Sequence, residues 1–499
     1  MSIQTTDHDV VILGAGFGGL GMGAQLKEAG IENFAIFDKG PGLGGVWREN
    51  SYPGAACDTE AHLYCYSFFP HLRVSRMYAD RNELMGYLER LATRYTLGPH
   101  LNFNTEVTSA VWDGANALWR LQVNGSGEHT ARVFIPAWGQ LNTPFVPAFP
   151  GLADFQGAAF HSARWDHTVD LTGKKIISIG SAASAVQYVP EVAKVAGSLE
   201  VFQRSANWIM PRNQVIFSKE QLDSFEENPD TFEQSRRNLH DFRENGFERT
   251  RRATDAQRAG VAQAVAHLEA QVPDPELRRK LTPDYEFGCK RILRTDDYYP
   301  ALMGGNVELV TQGIDAIVPE GIRTRDGQIH KADVIIFGTG FSSQAFQGDL
   351  QVIGASGEDL KERWADGAEA HLGMSVDGFP NMFMIYGPNT NLNHNSIITM
   401  LEIQQAYILK ILVHLLTAPQ ASVEVRGRVL TSYNASLQNE MEGSAFSADC
   451  SSWYKNAAGK VINNWSGTVE EYRSLAGHWN PGDYMLSGAV LPVQEMARV

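Results

Sequence analysis

The chain runs to 499 residues, enough for about three domains and for large cores that need neither disulfides nor metal to fold. Lys and Arg number 42 against 57 Asp and Glu, a formal charge of −15 with pI near 5.4, which excludes a nucleic-acid binder working through bulk charge. Four cysteines (Cys57, Cys65, Cys289, Cys450) with no CxxC pair exclude a disulfide scaffold and fit a reducing cytoplasm, and neither a secretory signal in the polar start Met1 to Asp9 nor an apolar run of about 18 residues for a membrane span is expected.

Val10 to Leu13 reads as a buried parallel strand running into Gly14-Ala15-Gly16-Phe17-Gly18-Gly19. A helix is predicted over Leu20 to Glu28, ended by Gly30, then a second strand over Phe34 to Phe37 with Asp38 at its end. This is one βαβ unit at the spacing of a mononucleotide-binding half. In such a unit Gly14 makes the tight turn, Gly16 admits a pyrophosphate to backbone N–H groups at the helix N-terminus, and Gly19 allows close helix–strand packing. Asp38 is placed to accept a hydrogen bond from the adenosine ribose.

Pro144, Pro147 and Pro150 mark 141–152 as a linker. The pattern then restarts: a strand over Lys175 to Ile179, the turn Gly180-Ser181-Ala182-Ala183-Ser184-Ala185, a helix to about Ala196, and a strand over Glu200 to Phe202. Ala182 and Ala185 stand where the second and third glycines would be; a methyl at 185 is tolerated, whereas one at 182 crowds a pyrophosphate. Arg204 lies where a 2′-phosphate would sit and no acid is there, so the second cofactor is expected to be NADPH; a structural half with a solvated arginine is the alternative. The charged stretch 217–281, with Arg251-Arg252 and Arg278-Arg279-Lys280, reads as a solvated helical insertion. Strands follow at Val307 to Val310 and Val334 to Phe337, and an amphipathic helix over Glu402 to Leu416 is expected to pack on a core.

The expected fold is α/β, with two Rossmann-like dinucleotide-binding domains and a helical insertion in the second. The boundaries expected are 1–140 and 388–499 for a FAD-binding domain, 141–152 for the linker, 153–216 and 300–387 for an NADPH-binding domain, and 217–299 for the insertion. Two nucleotide domains in one chain imply electron transfer between two cofactors, usually NADPH and FAD.

The run Gly44-Gly45-Val46-Trp47-Arg48-Glu49-Asn50-Ser51-Tyr52-Pro53-Gly54-Ala55-Ala56-Cys57-Asp58 resembles the flavin-proximal motif of Baeyer–Villiger monooxygenases at every specified position. Phe155-Gln156-Gly157 through His161 to Trp165-Asp166 resembles the family's linker fingerprint, with His161 expected to be structural through hydrogen bonds to backbone. Gly288-Cys289-Lys290-Arg291 is similar to the family's Lys-Arg pair near the nicotinamide, and Phe337-Gly338-Thr339-Gly340-Phe341 resembles the hinge motif of flavin monooxygenases.

The resemblance implies an NADPH- and O2-dependent enzyme that turns a ketone into an ester or lactone through NADPH-reduced FAD and a C4a-peroxyflavin. Charge grows on the former carbonyl oxygen in that reaction, and a permanent guanidinium beside it meets the demand. Arg291 matches the family position for this role. Asp58 matches the carboxylate that holds the arginine, and should stay ionised there. Taken without the resemblance, Arg291 also reads as a pyrophosphate contact or a surface arginine, and Asp58 as a turn residue. Lys290 is expected as a nucleotide contact. Trp47 and Tyr64 match flavin-side positions, and Asn391 and Leu392 follow the Gly387-Pro388-Asn389 turn that lies near the flavin ring, as do His394 and Asn395. The expected cofactor contacts further include Phe17, Gly18, Lys39, Gly45, Val46, Cys57, Val107, Ser181, Ser184, Gln187 and Ser205. No metal ligand set is expected. The rival reading is a flavin-containing N- or S-monooxygenase. A flavin disulfide reductase is disfavoured by the spacing of Cys57 and Cys65.

Overall fold

The run expected at 10–13 is strand His8–Leu13, in the parallel half of a seven-stranded sheet; the computed structural model describes residues 6–344, 346–418 and 420–488. Parallel strands Phe34–Phe37 and Gly127–Pro136 flank it, and Leu101–Asn102 lies beyond Phe34–Phe37. Val10 to Ile12 and Phe34 to Phe37 are buried without alternation, as strands covered on both faces must be. Helix Phe17–Glu28 begins three residues before the expected start and ends ahead of Gly30, whose φ of +72° continues no helix. The rest of the sheet is an antiparallel meander of Val107–Asp113, Leu118–Val123 and Gly127–Pro136.

The second sheet is wholly parallel, in the order Val307–Val310, Ser198–Phe202, Lys175–Ile179, Val334–Phe337, Ala158–His161. Its first helix is Ala185–Ala193, shorter than expected. An antiparallel hairpin system over 314–331 is appended.

Three expectations need correcting. The chain does not wait until 388 to rejoin the first domain. Gln351–Ile353 pairs with Val107–Asp113, and buried side chains from Phe346 to Ile385 belong to the first core. An apolar strand carries no label saying which sheet it joins, so the boundary was unreadable.

The insertion contains helices Lys219–Glu227, Pro229–Asn245, Asp255–Gln271 and Pro275–Leu281, as expected, but it is docked rather than solvated. Phe225 and Phe232 enter the first core, and Leu268 and Leu281 enter the second. Two of its arginines are buried: Arg236 pairs with Glu402 at 3.2 Å and Arg243 with Glu60 at 2.7 Å. Arg279, by contrast, pairs locally with Glu276 on an exposed face.

Cys289 and Cys450 form a disulfide with Cα atoms 6.4 Å apart, while Cys57 and Cys65 are free and buried. Their separation of 161 residues hid the pair, and the cysteine argument for a reducing compartment loses its support.

Helix Ile397–Leu415 is also longer and more apolar than expected. It is long and apolar enough to cross a bilayer by length and composition, but 61% of that window is buried, against Phe17–Glu28 and Val469–Ala476.

Candidate active site

The two glycine turns face one large cavity between the sheets, about 1580 Å³. Every cofactor or catalytic residue expected from the sequence lines it except Gly19 and Ala185, which are buried in helix packing.

In the first turn, Gly14 donates its N–H to Phe37 O at 2.8 Å and sits at φ +110°. A Cβ there would meet Ala137 O at 2.6 Å, and one at Gly19 would meet Gly14 O at 1.8 Å. Only glycine permits either approach. Gly44 donates to Ala15 O at 2.8 Å, which brings Gly45 against Gly16, so that a Cβ on Gly45 would lie 3.0 Å from Gly16 Cα. The result is a bare backbone cradle at a helix N-terminus, where a pyrophosphate finds donors.

Asp38 is buried. It accepts from Ala15 N at 2.8 Å and Gly40 N at 2.7 Å and pairs with Arg48 at 3.2 Å. Three of its acceptor sites therefore brace the turn, and one remains for a ribose hydroxyl. Arg48, which sequence reasoning missed, lay inside the flavin-side motif. Trp47 Nε1 donates to Tyr64 Oη at 3.3 Å, and Tyr64 stacks edge-on with Phe17 at 5.3 Å. Burial holds the Tyr64 phenol well above its ordinary value and pushes the Cys57 thiol up to about 12, so both stay neutral. Trp138 lines the same wall, with its indole N–H buried and unpartnered.

The second turn repeats the first at its opening: Gly180 sits at φ +109°, donates to Phe202 O at 2.9 Å, and a Cβ there would meet Gly338 O at 2.3 Å. Its regular helix starts at Ala185, but Val186 N donates to Ala182 O at 3.0 Å as Leu20 N does to Gly16 O, so Ala182 stands where Gly16 stands in the first turn. Arg204 is exposed on the cavity wall with no carboxylate partner among the described residues. Lys290 donates to Ser205 Oγ at 3.0 Å and lies over the Tyr285 ring at 4.2 Å. Burial first, then the Arg204 charge, lowers its pKa. Two unneutralised cations beside a glycine turn suit a phosphorylated ribose.

Gln187 is occupied otherwise than expected. Its amide accepts from Tyr52 Oη at 2.9 Å and donates to Ala56 O at 2.9 Å, fastening the second domain to the flavin-side motif. Asn391 is similar: it accepts from Tyr386 Oη at 2.8 Å and donates to Asn464 Oδ1 at 2.7 Å. Leu392, Val107 and Asn395 line the cavity, and His394 lies behind, 3.3 Å from Glu244. His161 is structural: Nδ1 accepts from Ala163 N at 3.1 Å, which leaves Nε2 to donate to Gly340 O at 2.9 Å. Burial lowers its pKa to about 4.

The two halves of the wall meet at Arg291 and Asp58. One guanidinium nitrogen, Nη2, donates to Asp58 Oδ2 at 2.6 Å and Oδ1 at 2.8 Å. Burial alone would raise the Asp58 carboxyl; the charge and hydrogen bond of Arg291, helped by Arg243 and Arg294, hold it below its ordinary value. The Asp58 charge in turn raises Arg291 further. Side-chain exposures of 38% and 27% open onto the cavity. Nε and Nη1 of Arg291 have no partner among the described residues, so they are available as donors. Arg243 and Glu60, which support this pair, are 183 residues apart and gave no local signal.

Residues 7–217 match the flavin-binding monooxygenase-like family. A Baeyer–Villiger monooxygenase of Pseudomonas aeruginosa is 38% identical over 480 residues, covering 96% of this chain and 91% of its own. A steroid monooxygenase bound to NADP superposes with a TM-score of 0.85 at 31% identity, over 95% of this chain and 97% of that one. OTEMO in complex with FAD and NADP gives 0.88 at 25%, over 97% and 100%.

Proposed function

The chain belongs to the Baeyer–Villiger monooxygenases, and from that premise we propose how its own residues divide the work. It is an NADPH- and O2-dependent flavoprotein that inserts one oxygen atom of O2 next to a ketone carbonyl, giving an ester or lactone. This sets aside the N- or S-monooxygenase alternative.

The residues fit both cofactors. Gly14, Gly16 and Gly45 leave the cradle and Asp38 a free acceptor for FAD; Arg204, Ser205 and Lys290 would hold the phosphates of NADPH. FAD, when bound and reduced by NADPH, supplies the activated oxygen.

Arg291 carries the reading. It stands in the wall shared by the two turns, permanently charged, with Nε and Nη1 free to donate to a carbonyl oxygen as negative charge builds there. Asp58 holds the guanidinium by Nη2, fixing its direction without occupying its other donors. Trp47, Tyr64 and Cys57 present neutral, largely apolar faces to the reacting atoms. The proposed partners are a small ketone and O2, and a cytoplasmic location fits the supply of NADPH.

FAD-loaded protein given NADPH, 18O2 and a panel of linear, cyclic and aromatic ketones should yield an ester carrying one 18O. NADPH consumption matched by H2O2, with every ketone unchanged, would overturn the proposal.

A further inference from the structure

A second cavity, about 450 Å³, lies behind the wall formed by residues 57–60, on the side away from the nucleotide turns. Its lining is unusual for an acidic chain. Arg212, Arg249 and Arg294 all face it, all half-buried, and none lies within ion-pairing distance of a carboxylate among the described residues.

Arg212 is held at its side chain, and the other two are placed by their backbone elements. Arg212 donates Nη2 to Cys57 O at 3.0 Å and lies over the Tyr78 ring at 5.2 Å, while its buried Nε has no partner. Arg294 sits on the short strand Leu293–Arg294, paired with Ile209–Met210. Arg249 comes from the turn Phe247–Thr250 of the insertion.

The acids nearby are already used. Glu60 takes Arg243 at 2.7 Å and the Tyr78 hydroxyl at 3.1 Å. Asp58 takes Arg291, and Asp296 accepts the backbone N–H of Arg212 at 2.8 Å. Three half-buried guanidinium groups, none in a direct ion pair, outnumber the one carboxylate of the lining, Glu60, and a bound anion balances them. Glu60, Asn213 and Gln263 also line the cavity, and its apolar side is Met77, Met210, Leu239 and a Phe242 ring that is 57% exposed at the rim. The volume is that of a small-molecule site.

We propose that this cavity is an anion site, separate from both nucleotide sites, that takes an organic carboxylate with an apolar body. Planar guanidinium groups match a carboxylate, and Leu239 and Phe242 cover its chain. The carboxylate is either the tail of a keto-acid substrate or a separate effector.

Calorimetric titration of the FAD-loaded enzyme with octanoate and with neutral octanamide tests this. Octanoate should bind at least about tenfold tighter than octanamide. Arg249→Ala and Arg294→Met should each weaken octanoate at least about fivefold, while Arg291→Ala leaves it within about twofold. Arg249 is half-exposed, so its variant keeps the test open if Arg294→Met fails to fold. Competition with 2-octanone that disappears in Arg249→Ala assigns the anion to a substrate tail, and a changed kcat at saturating ketone assigns it to an effector; either upholds the site. Equal affinity for octanoate and octanamide, or loss of octanoate binding in Arg291→Ala alone, would overturn it.

Discussion

The turns at Gly14 and Gly180 agree at their first residue and part at their last. Both glycines sit near φ +110°, donate to the next strand's last phenylalanine, and are pressed against a carbonyl of the strand exit across the sheet, Ala137 or Gly338. The first glycine is therefore demanded by the crossing of the sheet, whichever nucleotide is bound. The third position is not shared. In the first turn Gly19 is pressed onto Gly14 O with no room for a Cβ; in the second Ala185 carries its methyl fully buried at the start of helix Ala185–Ala193.

The largest expected effect tests that contrast. Gly19→Ala forces a Cβ to 1.8 Å from Gly14 O and should weaken FAD retention by about a hundredfold or more, read from flavin content after gel filtration. Retention at the normal level would break the comparison. Arg204→Ala should raise KM for NADPH about tenfold while moving KM for NADH less than about twofold, and equal shifts would remove the 2′-phosphate role.

The insertion's grip on the flavin side is next. Burial opposes the ionised Glu244, but hydrogen bonds from His394 and Asn395 lower its carboxyl to about 2. Discounted for partial exposure, this corresponds to about 2 kcal/mol of stability. A lowered carboxyl stabilises fully above about pH 4.5 and loses that contribution as pH falls toward 2. Glu244→Gln should therefore be less stable to urea at pH 7 and approach the parent at pH 3; a pH-independent gap would contradict the assignment. Smallest of all, Ala185→Gly should cost about 1 kcal/mol of helix stability and leave both cofactors bound, the opposite of Gly19→Ala.

Strands buried on both faces were legible because their apolar runs need no partner to be recognised: Phe34–Phe37, Lys175–Ile179 and Val334–Phe337 lie where the sequence places them. The motif residues were legible because turn, helix and site are local. What escaped depends on distant pairing. Gln351–Ile353 joins the first sheet, Cys289 meets Cys450, and Glu60 meets Arg243, each through contacts that no window of sequence contains. Gln187 and Asn391 were placed at the cavity, but their amides bind protein, because a polar side chain's position does not reveal which of several partners it takes.

The central claim is that Arg291 serves oxygen transfer rather than nucleotide binding alone. Arg291→Ala loaded with FAD should still be reduced by NADPH, seen as bleaching of the flavin absorbance in a stopped-flow experiment, yet convert no ketone to ester when O2 is admitted. Ester formation at the parent rate in that variant would contradict the account.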